Sequence, residues 1–293
     1  IILVLQTLFG CNVTKVVPEG KQLLVENKIQ RNAVGNIDLS DEKDNLKQKP
    51  NRELLGFIKF HLWAYQYGNK GLGIQKKQPW HRRWAEKVGE APVLIDSQKM
   101  DQSARRLSEY YFSKGFLENE VTYTLKPKKV LGIIKMKKRA VVTYEAKLMP
   151  YHTLRSVEYN ATGRILDQLI QQYDNQKLLK PGDRLDFERI EDERARLTAL
   201  FRQNGYYYFN TSFIDFQIDT NQQNYTADML VNVRNKNSFE PHYQQTLDSV
   251  IVKIGNANRE MIPFDKLFFI EGDYYIKPKS LAKNIAIRSG ELY

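Results

Sequence analysis

Ser280-Leu281-Ala282-Lys283 has the S-x-x-K spacing, in which a lysine one helical turn on can help activate a serine nucleophile. No K-T-G or S-D-N element accompanies it, so a surface helix is the simpler reading. Glu191-Asp192-Glu193 offers adjacent carboxylates for acid–base work. Near a helix N-terminus, however, such charges stabilise the macrodipole without any chemistry. His61, His81, His152 and His242 lie far apart and lack metal-ligand spacing. Gly71-Leu72-Gly73 lacks both a third glycine and a capped helix after it, which suits a flexible turn better than a phosphate cradle. The glycosylation sequons at Asn160, Asn210 and Asn224 are chance matches in an asparagine-rich chain. No nucleophile, base and oxyanion donor come together. The expectation is a protein that is not an enzyme, with no cofactor and no metal.

Cys11 is the lone cysteine, so an intrachain disulfide and a Cys-based metal site are both excluded. The apolar run Ile1–Phe9 before it is too short to span a bilayer and fits the h-region of a signal peptide. Leu8-Phe9-Gly10-Cys11 resembles a bacterial lipobox, whose cysteine is acylated and becomes the new N-terminus. Residues 1–11 are therefore expected to be a truncated lipoprotein signal peptide and residues 12–21 a tether. Acyl chains on Cys11 would hold the protein to a membrane, at about 0.8 kcal/mol per buried methylene. The alternative is a buried strand ending in a free thiol.

With 293 residues, 42% hydrophobic and 27% charged, the chain has room for two or three ordinary globular domains. A net charge of +11 favours anionic partners. The densest basic run, Lys126–Arg139, is expected to be a solvated loop between two strands, within reach of headgroups. No nucleic-acid motif accompanies the charge, so no nucleic-acid partner is expected.

The clearest element is Leu185–Phe209. Asp186 suits an N-cap, Ile190, Leu197 and Phe201 form one apolar stripe, and Gly205 suits the left-handed residue that ends a helix, with Tyr206 folding back on it. The same unit occurs earlier: Asp96 matches Asp186, Leu107 matches Leu197, Gly115 matches Gly205 and Phe116 matches Tyr206. Two alternating strands follow each copy. They are Glu120–Leu125 (Val121, Tyr123, Leu125) and Arg139–Leu148 in the first, Thr211–Ile218 (Ile214, Phe216, Ile218) and Tyr225–Val233 in the second. A strand begins each copy, at Leu23–Gln30 and Tyr151–Tyr159. Ile165, Leu166, Leu169 and Ile170 give the second copy its first helix.

The order is β-α-α-β-β, an α+β tandem array. Repeat one covers 22–149 with a helical insertion at 40–95, where Leu54, Ile58, Leu62 and Tyr65 predict a helix over Asn51–Tyr67. Trp80 and Trp84 in the same insertion suit covering that helix or anchoring a partner. Repeat two covers 150–236. A partial third, 237–293, opens with a strand at Leu247–Ile254, runs irregularly to about Leu267, resumes strand at Phe268–Ile276 and reaches a helix at Pro278–Ile287. Arg288-Ser289-Gly290-Glu291-Leu292-Tyr293 there matches Lys180-Pro181-Gly182-Asp183-Arg184-Leu185.

Gly182-Asp183-Arg184-Leu185-Asp186 leading to Arg202-Gln203-Asn204-Gly205-Tyr206-Tyr207 resembles the second-helix pattern of POTRA (polypeptide-transport-associated) domains in the BamA/TamA outer-membrane assembly family. Lys49-Pro50-Asn51, Leu55-Gly56 and Gly89-Glu90-Ala91-Pro92-Val93 resemble the inserted first repeat of its TamA-like lipoprotein branch (TamL) in Bacteroidota. The resemblance covers about residues 20–293. It implies three-stranded sheets with two helices on one face, placed in the periplasm at the outer membrane, with a C-terminal barrel beyond this chain. It also implies unfolded outer-membrane protein clients and a TamB-like or other envelope assembly partner. Clients would bind by β-augmentation at a bare sheet edge, where backbone hydrogen bonds tolerate many sequences. The expected edges are the second strands, through Val121, Tyr123, Leu125, Ile214, Phe216 and Ile218, each beside the first helix of its repeat. The alternative function is a lipid-anchored envelope adaptor that binds headgroups or another envelope protein.

Overall fold

The computed structural model describes residues 17–32, 37–53, 60–68, 87–130, 134–237, 240–253, 261–270 and 277–292. Cys11, Trp80, Trp84, His81 and Gly71-Leu72-Gly73 lie outside them. The chain divides into two compact units, Ile1–Tyr151 and His152–Tyr293. Each is α+β and built on three-stranded sheets.

In the first unit, β1 (Leu23–Arg31), β2 (Asn119–Val130) and β3 (Ile134–Leu148) form a sheet in the order β1-β3-β2. β3 runs parallel to β1 and antiparallel to β2. Alternate β3 residues, Val142, Tyr144, Ala146 and Leu148, turn into a core with Leu24. Helix α2 (Ser97–Ser113) supplies Met100, Ala104, Leu107 and Tyr111, the stripe its 3.6-residue period dictates. Helix α1 (Phe60–Gly68) belongs to the insertion, and residues 51–53 ahead of it are not helical, so the described helix is shorter than Asn51–Tyr67. Its Leu62 packs in a separate small cluster with Val17 and Leu23. Adjacent strand residues point to opposite sides, so Leu23 and Leu24 serve two different clusters. A 3₁₀ turn at Ser40–Asn45, flanked by the buried Leu39 and Leu46, packs against α2 instead.

The second unit opens with β4 (Thr153–Ala161), α3 (Arg164–Gln172), α4 (Phe187–Gln203), β5 (Ile214–Asn221) and β6 (Thr226–Val233), its sheet ordered β4-β6-β5. Ala227, Met229, Val231 and Val233 are buried alternately along β6. Helix α3 packs on β4 and α4. A third sheet follows, of β7 (Ile251–Lys253), β8 (Met261–Phe264) and β9 (Leu267–Ile270), with α5 (Pro278–Ala282) after it. Its order β7-β9-β8 repeats the pairing of the other two, parallel then antiparallel. The stretch expected to be irregular before Leu267 contains β8, because Asp265 and Lys266 adopt positive φ (52° and 59°) and turn the chain back as a tight hairpin. Strand β7 and helix α5 are both shorter than their apolar patterns predicted.

Both long helices carry the ends read from the sequence. Asp96 accepts from Gln98 N and Lys99 N, and Asp186 accepts from Glu188 N. At the far ends Gly115 (φ 91°) and Gly205 (φ 84°) take the left-handed conformation. Phe116 N bonds back to Tyr111 O at 3.0 Å and Tyr206 N to Phe201 O at 3.1 Å. That six-to-one bond, with Gly115 N to Phe112 O and Gly205 N to Arg202 O, makes a Schellman cap in each case.

Candidate functional site

Each sheet has two outer strands, and their borders differ. The start of each first strand is closed by its own chain. Leu24 N bonds to Val93 O and Ile95 N to Gln22 O, both at 2.9 Å. Leu154 N bonds to Asp183 O at 2.7 Å and Leu185 N to His152 O at 2.8 Å. In the third sheet Leu247 N bonds to Glu291 O at 2.8 Å, with Gly290 (φ 84°) standing as Gly182 (φ 91°) does in the second. The second strands, β2 and β5, pair on one side only.

The phase of the ladder shows which backbone groups they present. Met149 N donates to Glu118 O, so even-numbered β2 residues turn their amides toward β3. Val121, Tyr123 and Leu125 therefore direct both N–H and C=O to the open border. Arg234 N donates to Phe213 O, which by the same rule turns Ile214, Phe216 and Ile218 outward on β5. Pro127 is consistent with this phase. It lacks an N–H, it sits at an outward position, and it ends the donor row after Leu125.

The side chains of these residues face the helix layer. Val121, Tyr123 and Leu125 stand opposite Ala146, Tyr144 and Val142, and Ile214, Phe216 and Ile218 opposite Val233, Val231 and Met229. The sequence placed these strands beside the first helix of each repeat, and the structure corrects that. β2 packs against α2, and Arg194 of α4 lies over Phe216 of β5, so the second helix flanks the border. A central third strand parallel to the first puts the first strand on the far side, beside α3. The limits move too. Thr211–Phe213 is a 3₁₀ turn capped by Asn210, so the strand expected to start at Thr211 starts at Ile214. The strand expected at Glu120–Leu125 extends over Asn119–Val130.

Between α2 and β2 lies a groove of about 720 Å³ lined by Asp101, Ala104, Arg105, Ser108 and Glu109 on one side and Asn119–Tyr123 on the other. Tyr123 Oη donates to Asp101 at 2.8 Å at one end, and that bond raises the tyrosine pKa. At the other end Asn119 Nδ2 donates to the carbonyls of Phe116 (2.9 Å) and Ser108 (3.2 Å). The groove thus carries charges of both signs beside a strand whose outer border is open. Counting from the N-caps, Arg194 stands in α4 where Ala104 stands in α2. Its guanidinium sits 5.1 Å from the Phe216 ring centroid and is held by Glu191 at 2.8 and 2.9 Å. Third-sheet border strand β8 contains Pro263.

The residues whose spacing suggested catalysis are exposed or otherwise engaged. Ser280 and Lys283 are exposed at the end of α5. Glu193 is fully buried in an ion pair with Arg196, while Glu191 bonds Arg194. His61 bonds Val88 O, His242 bonds Arg234 O, and His152 is buried against Tyr225. Among the described residues no group of three or more His, Cys, Asp or Glu could hold a metal, and no helix is long and apolar enough to cross a membrane. Sequence reasoning did not single out the α2 side of the groove, Asp101, Arg105 and Glu109, because these residues carry no motif.

No family model matches the chain. No curated protein matches it either. Among solved structures it is similar to POTRA domains 3–5 of BamA from Haemophilus influenzae, at 14% identity over 94% of this chain and 82% of that one, with a TM-score of 0.38. It is also similar to the N-terminal domain of Omp85 from Thermosynechococcus elongatus, at 10% identity over 94% of this chain and 81% of that one (TM-score 0.30). A third is CdiB from Acinetobacter baumannii, at 14% identity over 80% of this chain and 35% of that one (TM-score 0.27).

Proposed function

We propose that this chain is the periplasmic POTRA region of an outer-membrane assembly factor, and that it takes extended client segments as an added strand on β2. The carrying observation is that Val121, Tyr123 and Leu125 present unpaired backbone groups beside the α2 groove. Main-chain bonding supplies affinity without reading sequence, which a handler of many barrel precursors needs. Within this reading Cys11 is the lipid attachment point, as in TamA-like lipoproteins. A TamB-like protein or another envelope assembly factor is the partner, and no catalytic step is involved.

The test uses proline. Val121→Pro removes an outward N–H, whereas Thr122→Pro removes one bonded to β3. Binding of a fluorescent peptide with the alternating sequence of a barrel strand is followed by anisotropy, with thermal melts in parallel. Val121→Pro is expected to stay folded and bind at least about tenfold more weakly, and Thr122→Pro to lower the melting temperature. A folded Val121→Pro protein that binds like the parent would sink the proposal.

A further inference from the structure

Of the run Lys126–Arg139, expected to be a solvated loop, the described residues Lys126–Val130 and Ile134–Arg139 are antiparallel strand instead. Strands β2 and β3 continue past the three-stranded sheet: β1 reaches only as far as Arg139 on β3, while Lys129 still pairs Lys135 and Val130 pairs Ile134. Between the pairs Pro127–Ala140 and Lys129–Lys135 only Lys128 intervenes on β2, against four residues on β3. This irregularity, with Lys138 at φ 55°, interrupts the ladder between the sheet and the outer ribbon.

Seven of the fourteen residues from 126 to 139 are Lys or Arg, and none is acidic. Lys128 is paired with Glu26 at 2.7 Å, and Lys138 bonds the carbonyl of Val17 at 2.8 Å. Lys126, Lys129 and Lys137 are exposed. An isolated two-stranded ribbon is marginal in water, and like charges facing across it weaken it further. An anionic surface would offset that repulsion.

We propose that this hairpin is a docking arm for an anionic lipid surface, with the exposed lysines meeting phosphate headgroups. Two features favour lipid over nucleic acid. The run contains no aromatic residue on which a base could stack. Its cations flank the apolar sequence Val130-Leu131-Gly132-Ile133-Ile134, the order of polar and apolar groups found at a membrane interface. Lys129 and Lys137 lie beyond Pro127 from the strand-capture residues, and Lys126, next to Leu125, turns its backbone toward β3 rather than to the open border.

Flotation of the 293-residue chain with vesicles of phosphatidylcholine and phosphatidylglycerol (3:1), and of phosphatidylcholine alone, tests it. The parent is expected to float with the anionic vesicles and to release as salt rises. Lys126→Glu/Lys129→Glu/Lys137→Glu should lower that partitioning at least about tenfold, on the basis of roughly a factor of several per lysine. An equal charge change at the exposed Lys180, Lys253 and Lys283 should leave it within about twofold. The proposal is overturned if the hairpin variant floats like the parent, or if the control loses as much. It is also overturned if the hairpin proves to bind a single-stranded oligonucleotide more tightly than the vesicles. Melting curves and the barrel-strand peptide assay separate loss of lipid binding from misfolding and from loss of strand capture.

Discussion

Tyr159 Oη donates a 2.9 Å hydrogen bond to Oε1 of Glu193, a carboxylate with no solvent exposure. Arg196 grips both oxygens of the same carboxylate, at 2.6 and 2.7 Å, and Leu178 N adds a fourth bond at 3.1 Å. First strand, second helix and the loop between the helices are thereby tied at one point. Burial, together with the neighbouring Glu193 charge, pushes the Tyr159 hydroxyl well above its ordinary value, so it remains a donor throughout the useful pH range. Removing one partner of a buried charged pair leaves the other uncompensated. Glu193→Ala is expected to cost about 3–5 kcal/mol in urea unfolding of the second unit, and Tyr159→Phe about 1 kcal/mol. Equal small losses for both would show that the carboxylate is solvated.

Ala104 and Arg194 occupy matching positions in α2 and α4, and they make opposite predictions. Ala104→Arg should fill the first groove and weaken barrel-strand peptide binding by about tenfold or more, roughly 1.4 kcal/mol. Arg194→Ala clears the space above Phe216, and binding to the second unit should strengthen. Anisotropy titrations of both variants against the parent decide it.

Gly205 sits at φ 84°, and a Cβ there would meet Leu292 Cδ2 at 2.8 Å. Gly182, at φ 91°, has nothing within 4 Å of the same added atom. Gly182→Ala should therefore cost only the left-handed backbone penalty, about 1–2 kcal/mol, and Gly205→Ala that penalty plus displacement of Leu292. Chemical denaturation ranks the two variants, with Gly205→Ala expected to be the less stable.

Asp228 receives Arg155 and Ser156 on the open face of the second sheet, and these bonds, the arginine's first, hold its carboxyl at about 2. A carboxyl whose folded value lies below the ordinary 3.8 contributes stability that is full above that pH and is lost as pH falls through about 2. Melting temperatures measured between pH 5 and 2 should fall less steeply for Asp228→Asn than for the parent. The pair is exposed, so the difference should be modest.

Much of the scaffold could be read from side-chain period. Asp96 and Asp186 at helix starts, Gly115 and Gly205 at helix ends, and the alternation along β3 and β6 are local signals, each set by a neighbour a few residues away. The outward-facing border residues were also legible, because strand phase links backbone direction to side-chain alternation. What escaped was non-local. Nothing local to Val121 or Phe216 says which helix lies above them, since that depends on the third strand inserting between the first and second. Lys126–Arg139 read as a loop because its lysines and glycine suppress the alternation that marks a strand, while its pairing comes from the register set at Asn119 and Leu148. The carboxylate of Glu193, which from sequence is one of three acids near a helix N-terminus, is enclosed by Tyr159 and Arg196, partners that no local signal names.

The proline at 127 has a kinetic consequence. On the strand-capture proposal, a guest segment running along this border would find outward donors before Pro127 only as far as Leu125, so its dwell time is expected to be short. On that proposal the chain would pass a segment along rather than store it, and the same short row would limit pairing with its own copies.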